Sequence, residues 1–579
     1  MSSDSLVFDM SSMAEGTSSV FVRKDWIAIL DNQNQNYQGN QCVIDTSQLA
    51  NSNKYFNYRE AYLTVPLLLT LTQTIGSAAA FAPATAATSP DYVMGLRNWY
   101  GSIVHSMTVD YNGTTIVQQT PYCGMWNTFK LMTSLSYQDV ITNGASMGFW
   151  PDDGTSFEVS NAVSTEGIAD AVTNNKNLGS FPVVNGAFNT FNTYNEGLLR
   201  RQQGWNFDPA GIVGAGYTYA TNASPTSLTS TSNLNLLWKS YVFNKVSATG
   251  GPPTTSAGVV QVAITAQIYL KHLHSFFERV PLLKGVFMKL TFNFNQASTN
   301  FTVNSADAYA TCSVQSPLGG INPIMLASAA AGHGAACLVE GSYIASISVG
   351  KTCLNASQSS IGANVQTSPL SGSVLLNVPA YTFNPTFEVS YLSSPIKKIV
   401  YSDIYQYQIV NQLSGGQTFN NLITNGISNI KSVLVLPFFS SASNGNLLPI
   451  QSPFEGAGAG MTSPMCLLTQ FNIQISGQNA IYNTERYAYE QFLNQLQGAN
   501  AINGNLTDGL TSSLIDQKNF EMGYNYYYVN CGRMLPVEEM VPKSVNVLGT
   551  NTSLRAIDLF VFVEYGVEIS FSILSGARV

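Results

Sequence analysis

Charge is what this sequence has least of. Asp, Glu, Lys and Arg together supply 10% of its 579 residues, against about a quarter in ordinary soluble domains. An exterior so poor in charge suits a chain whose surface largely meets other protein. The few charges sum to −8, with a sequence pI of about 5.1. No basic arm is present, and Arg200-Arg201 and Lys397-Lys398 are isolated pairs. Phosphate binding needs clustered cations, so no nucleic-acid grip is expected. The cysteines, at 42, 123, 312, 337, 353, 466 and 531, include no C-x-x-C pair. That argues against a zinc site or a disulfide framework and for a reduced chain, with a single bridge left open. The opening segment MSSDSLVFDMSSMAEGTSS lacks the basic and apolar regions of a signal peptide, and no run of about eighteen apolar residues occurs. Intracellular synthesis without a membrane span is the expectation.

Catalytic signatures are equally scarce. There is no G-x-S-x-G elbow and no H-E-x-x-H helix. Gly214-Ala215-Gly216 lacks a third glycine, and Gly456 to Gly460 lacks the Lys-Ser/Thr that holds phosphates, so both read as loops. Glu538 and Glu539 are adjacent and point apart on an extended chain. The histidines are His105, His272, His274 and His333. His272 and His274 share a face if the segment is a strand, and with Glu278 they suggest a metal site. No third ligand has diagnostic spacing, so ordinary strand or loop-end histidines are the better reading. His105 reads as a core or interface residue and His333 as part of a flexible Ala/Gly loop. No catalytic, cofactor-binding or metal residues are assigned, and no cofactor is expected.

What the sequence does contain is a duplication at a spacing of 364. Met107, Val109 and Tyr111 alternate with polar residues up to Asn112-Gly113, after which Thr120-Pro121 opens a helix bearing Met125, Phe129 and Met132. In the second copy Phe471, Ile473 and Ile475 lead to Ser476-Gly477, and Thr484 opens a helix bearing Tyr489, Leu493 and Leu496. Asn-Gly marks a tight hairpin because both central residues need positive φ, and Thr is a favoured helix cap. Upstream, Leu63 to Leu71 alternate across Pro66, and Val433 to Phe439 flank Pro437. Period two means half-buried strand.

Two domains follow, both β. Val259 to Tyr269, Gly285 to Asn295 and Val374 to Phe383 read as strands of the first, and Pro385 to Pro395 as a connector. Ile399 to Ile409 open the second, which closes with Leu559 to Val563 and Val567 to Ile573. The tracts at about 145–260 and 297–370, dense in Gly, Asn, Ser and Thr, read as long loops on the first domain. A secreted β-sandwich binding glycans through aromatics such as Tyr217 to Tyr219 is the alternative reading, which the missing signal peptide disfavours.

Four stretches carry a family resemblance: VPAYTFNPTFEVSYLSSPIKKIVYSDIYQYQI (378–409), PLLKGVFMKLTFNFN (281–295), YNYYYVNCGRMLPVEEMVPKSVNVLGTN (524–551) and LFVFVEYGVEISFSILSG (559–576). With them the chain resembles the double jelly-roll major capsid proteins of polinton-like viruses and virophages. The resemblance implies an all-β fold of two tandem eight-stranded jelly rolls with short helices. Residues 1–20 would be a flexible arm, 21–394 the first roll with its insertions and connector, and 395–579 the second. It also implies a homotrimer forming a pseudo-hexagonal capsomer that tiles an icosahedral shell around a DNA genome. The implied location is the virion, with assembly inside the host cell. Its partners would be neighbouring capsomers, penton and minor capsid or cement proteins, with host-surface contact through the first-domain loops and no sequence-specific nucleic-acid binding.

Overall fold

The computed structural model describes residues 19–33, 37, 39–74, 92–118, 121–151, 240–245, 259–304, 308–315, 323–328, 341–350, 372–440, 462, 466–481, 487–500, 514–531, 540–553, 556–572 and 578. The anticipated loops of 145–260 lie almost wholly outside this set, as do His333, Tyr217 to Tyr219, Glu538, Glu539 and nearly all of the 1–20 arm.

Glycine-assisted turns set the register of both halves. Asn112 and Gly113 take φ of 46° and 81°, and Ser476 and Gly477 take 50° and 81°. The hairpin anticipated at each copy is therefore present with one backbone geometry. Around it, the first half builds two facing sheets. One runs β1 (Phe21–Leu30), β15 (Leu375–Phe383), β4 (Tyr62–Thr74), β9 (Val259–Tyr269). The other runs β2 (Gln41–Asp45), β10 (Met288–Phe294), β6 (Val104–Tyr111), β7 (Thr114–Gln118). All these pairings are antiparallel.

The second half repeats the order strand for strand. Its sheets are β16 (Ile396–Leu413), β23 (Ile557–Ser572), β18 (Ile430–Phe439), β21 (Tyr527–Asn530), and β17 (Thr418–Ile427), β22 (Lys543–Asn551), β19 (Leu468–Ile475), β20 (Gln478–Asn479). In each half the first strand pairs with the last, and the third lies between the last and the sixth. This is jelly-roll wrapping, which the sequence anticipated. Strict alternation fills the cores: Met288, Leu290, Phe292 and Phe294 are all fully buried, as are Met107 and Val109.

The first roll carries further strands. β3 (Tyr55–Phe56) joins β15, β8 (Ser240–Lys245) extends β9, and β5 (Tyr92–Leu96) pairs with β13 (Ile324–Ser328). β11 (Ser298–Asn304), β12 (Ala308–Gln315) and β14 (Gly341–Val349) form a ladder that joins β4. The tract at 297–370 is thus not simply loop-rich. Of these, β14 pairs with β4 and alternates buried Tyr343, Ala345, Ile347 and Val349 with less buried neighbours, while the polar β11 and β12 are specified by pairing, β11 to β14 and β12 to β11. β4 pairs with β15 across Tyr62–Thr64 and with β14 across Leu67–Thr74. Pro66, which has no N–H to donate, occupies the gap between the two partners, and its carbonyl accepts from the Gly350 amide at 2.9 Å.

Two helix starts differ from expectation. α1 (Cys123–Ser134) begins after Tyr122, which holds φ of 67° and gives no side-chain cap. α6 (Tyr489–Asn500) begins beyond Thr484, and both Thr120 and Thr484 lie outside the described residues. Burial on α6 falls on Phe492 and Leu496, with Leu493 half-buried. The remaining helices used below are α2 (Tyr137–Met147), α3 (Leu270–Leu273), α4 (Ser275–Arg279), α5 (Pro385–Leu392), which spans most of the expected connector, and α7 (Gln517–Met522).

Two glycines separate backbone strain from crowding. A Cβ at Gly113 meets nothing within 4 Å, whereas at Gly148, the C-cap of α2 with φ of 61°, it falls 2.3 Å from the Tyr100 ring. Gly113→Ala should cost about 1 kcal/mol, the left-handed penalty alone. Gly148→Ala should cost several times more, and a comparison of thermal midpoints that ranked them equal would contradict this account.

Candidate functional site

The outer face of the sheet containing β16, β23, β18 and β21 is where the two rolls meet. Leu434, Leu436, Phe560 and Phe562 point away from the second roll's own core, yet all are buried. The cover comes from the first roll. The Tyr122 ring stands edge-on to Phe560 at 5.1 Å, and Trp126 lies 6.3 Å from Phe562. Phe129 contacts Tyr526 and Tyr528 at 5.3 and 5.2 Å. Edge-to-face and tilted pairs at these distances add roughly 0.5–1.5 kcal/mol each beyond burial. The positions come from α1, which the hairpin at Asn112-Gly113 and β7 deliver to the flank of the first roll.

Polar contacts fix the same seam. The Tyr401 hydroxyl donates to the Ile116 carbonyl at 2.5 Å. The Ser275 hydroxyl donates to the Ser402 carbonyl at 2.5 Å and accepts from the Ser402 amide at 2.8 Å. His274 is buried between the rolls. Its Nδ1 accepts from the Phe276 amide at 3.1 Å, capping α4, and its Nε2 lies 3.3 Å from Asp403 Oδ1. With Nδ1 an acceptor, Nε2 carries the proton and donates to the carboxylate. Asp403 also accepts from the Ile404 amide at 2.8 Å and the Tyr565 hydroxyl at 3.3 Å.

His272, His274 and Glu278 line one groove at the seam, and both ring nitrogens of His274 are engaged in these contacts. The segment is not a strand: the chain leaves β9 at Tyr269 and makes α3 and α4, so His272 is helical and His274 is the cap between them. His272 packs its ring near Trp99 and Tyr269 at 6.4 and 6.1 Å. His105 lies 5.4 Å from the Tyr122 ring, next to the seam. Among the described residues no three of His, Cys, Asp and Glu are grouped to hold a metal ion. Cys42, Cys123, Cys466 and Cys531 are buried, and burial pushes the Cys123 and Cys531 thiols up to about 12. A groove of about 660 Å³ follows the seam past Lys130, Lys271, Arg279, Lys431 and Glu564.

The sequence did not point to Tyr122, Trp126, Tyr401 or Asp403. Their partners across the seam lie between 125 and 438 positions away, beyond any periodicity; a weak signal was the unbroken apolar run Leu559 to Val563, which means a strand buried on both faces.

No protein-family model matches the chain, and no curated protein matches it. Among solved structures, one of the Sputnik virophage by cryo-EM is similar at 11% identity and TM-score 0.49, covering 97% of this chain and 89% of that one. The mavirus major capsid protein is similar at 8% identity and TM-score 0.40, covering 97% and 91%. The Faustovirus major capsid protein follows at 8% and 0.39, covering 96% and 92%.

Truncating the seam should be costly. Phe560→Ala removes a fully buried ring touched by Tyr122 and Phe438, a loss of about 3–5 kcal/mol, visible as a lower thermal midpoint. An unchanged midpoint would mean the rolls do not rest on this ring.

Acid should also weaken the chain. Burial holds the His105 and His272 imidazoles down at about 4, with Lys271 adding repulsion at His272. Unfolded imidazoles titrate near about 6.5, so the unfolded chain takes these protons first as pH falls. The contribution is complete above about pH 6.5 and is lost progressively down to about pH 4, on the order of 1–3 kcal/mol per ring. A His105→Gln/His272→Gln chain should show a flatter midpoint-versus-pH curve in that window, and an identical slope would remove these rings as the cause.

Proposed function

We propose that this chain is a major capsid protein whose mechanism is assembly. Residues 21–394 and 395–579 form its two rolls, and residues 1–20 are an arm that orders in the particle. Three copies form a pseudo-hexagonal capsomer of six rolls, and capsomers tile an icosahedral virion shell around a DNA genome, joined by penton and minor capsid proteins. The first-roll insertions face outward and meet the host surface. The chain has no substrate.

One observation carries this reading: two rolls of identical strand order pack side by side, the flank of one covering the outer sheet face of the next. A unit that already contains two equivalent positions of a ring needs only copies of itself to continue it. The 10% charge content supports the same reading, since large obligate interfaces exclude charge. So do the four sequence stretches that resemble double jelly-roll capsid proteins.

Light scattering on the purified chain should give three times its 62.5 kDa mass, with a hexagonal outline in electron micrographs. A stable monomer over the working concentration range would overturn the proposal.

A further inference from the structure

Basic residues that are scattered along the sequence come together at the seam. Arg59 lies in the connection leading to β4, Lys130 on α1, Lys271 on α3 and Arg279 at the end of α4, and all four line the groove of about 660 Å³ between the rolls. Lys431 reaches the same groove from β18 of the second roll. No two of the five are adjacent in sequence, so no basic run announces them. Two carboxylates, Glu278 and Glu564, share the walls. Five cations against two carboxylates leave the groove a formal +3, in a chain whose charges sum to −8.

These cations also lack counter-charges. Elsewhere Arg23 and Lys54 pair with Asp25, Lys24 with Glu60, Lys284 with Glu388 and Lys398 with Glu568. Among the described residues, none of the five in the groove takes part in an ion pair. Lys431 instead donates to the Ser402 hydroxyl at 3.2 Å, and Ser402 is bonded in turn to Ser275, which fixes that ammonium where the two rolls join. Charge of one sign along a concave wall concentrates anions.

A second observation does not depend on charge. Asn127 on α1 lines the same groove, is 3% exposed, and its amide nitrogen has no hydrogen-bond partner among the described residues. A buried donor left without an acceptor costs about 1–3 kcal/mol. An oxygen acceptor seated in the groove is the partner it lacks. The volume is that of a small-molecule site, which typically spans about 300–1,000 Å³. A single carboxylate would leave most of the positive charge uncompensated, whereas a compact phosphate bearing several charges compensates it, and Arg and Lys are the side chains that bind phosphate oxygens.

We propose that the groove between the rolls binds a compact phosphate polyanion, held by Arg59, Lys130, Lys271, Arg279 and Lys431, with Asn127 as a neutral donor. Its cations come from both rolls, so an occupied groove ties them together and adds an ionic clamp to the aromatic seam. The site is complete within one chain and does not rest on the assembly reading above.

Titration calorimetry of the full chain with inorganic tripolyphosphate should show one site per chain, weakening as salt is added, and the ligand should raise the thermal midpoint. Lys130→Gln/Lys271→Gln, two exposed positions, should weaken binding at least tenfold without lowering the midpoint of the ligand-free chain. Lys289→Gln/Lys397→Gln removes the same charge away from the groove and should change binding less than twofold. Equal weakening by both pairs would mean diffuse attraction to the surface and would overturn the inference, as would absence of tripolyphosphate binding. Vesicles containing phosphatidic acid that float with the chain and are displaced by tripolyphosphate would assign the phosphate to lipid headgroups. Vesicles that fail to bind, beside tripolyphosphate that does, would assign it to a free compound, and the site stands in either case. The capsomer reading is untouched by every one of these results, since none reads the number of chains.

Discussion

A sandwich sheet ordinarily has one wet face, and the second roll's first sheet has none along one stretch of its two central strands. Residues 557 to 563 of β23 are buried without interruption, as are Val433 to Leu436 of β18. A sheet apolar on both faces cannot exist in water by itself, so the second roll depends on a neighbour. The position of α1, the left-handed Tyr122 that starts it, and the burial of Tyr401 and Asp403 all follow from supplying that cover. The two rolls are in this sense one core: buried residues run continuously from Ile29 to Phe571.

The seam also shows how polar groups can specify an arrangement whose driving force is apolar. Burial of Phe560, Phe562 and Leu434 would permit sliding, because hydrophobic contact has no direction. The paired hydrogen bonds between Ser275 and Ser402, and the His274 bridge to Asp403, admit one register only. The Asp403 carboxylate, buried at the seam, accepts from His274, Ile404 and Tyr565, so these bonds add selectivity without leaving that charge unpaired.

Much of the architecture was legible because it rests on local chemistry. Asn112-Gly113 and Ser476-Gly477 require positive φ, and alternation from Met107 to Tyr111 or Met288 to Phe294 requires a strand with one wet face. Helix starts were less legible. Thr120-Pro121 looked like a cap, but α1 begins at Cys123 because the chain must first turn onto the seam through Tyr122. β11 and β12 were hidden because sequences such as STNFTVN mix Ser and Thr with few aliphatics, and their strand character comes from a ladder that reaches β4 only through β14. His272 and His274 looked like strand neighbours because a break after Tyr269 has no glycine or proline to mark it. The seam was least legible, since two aromatic residues hundreds of positions apart carry no mutual signature in one sequence.

The register of β1 with β15 places Phe21 opposite Phe383 and Leu30 opposite Leu375. One edge of the first roll is therefore closed by chain synthesised some 350 residues later. At roughly 5–20 residues per second on the ribosome, that is a delay of roughly 20–70 s during which β1 has no ladder partner. The second roll repeats the pattern, with Ile396 waiting for Ser572. Closure of each sheet is thus paced by translation itself: neither roll can seal until its last strand emerges, and in the second roll that strand, β23, is also a central one.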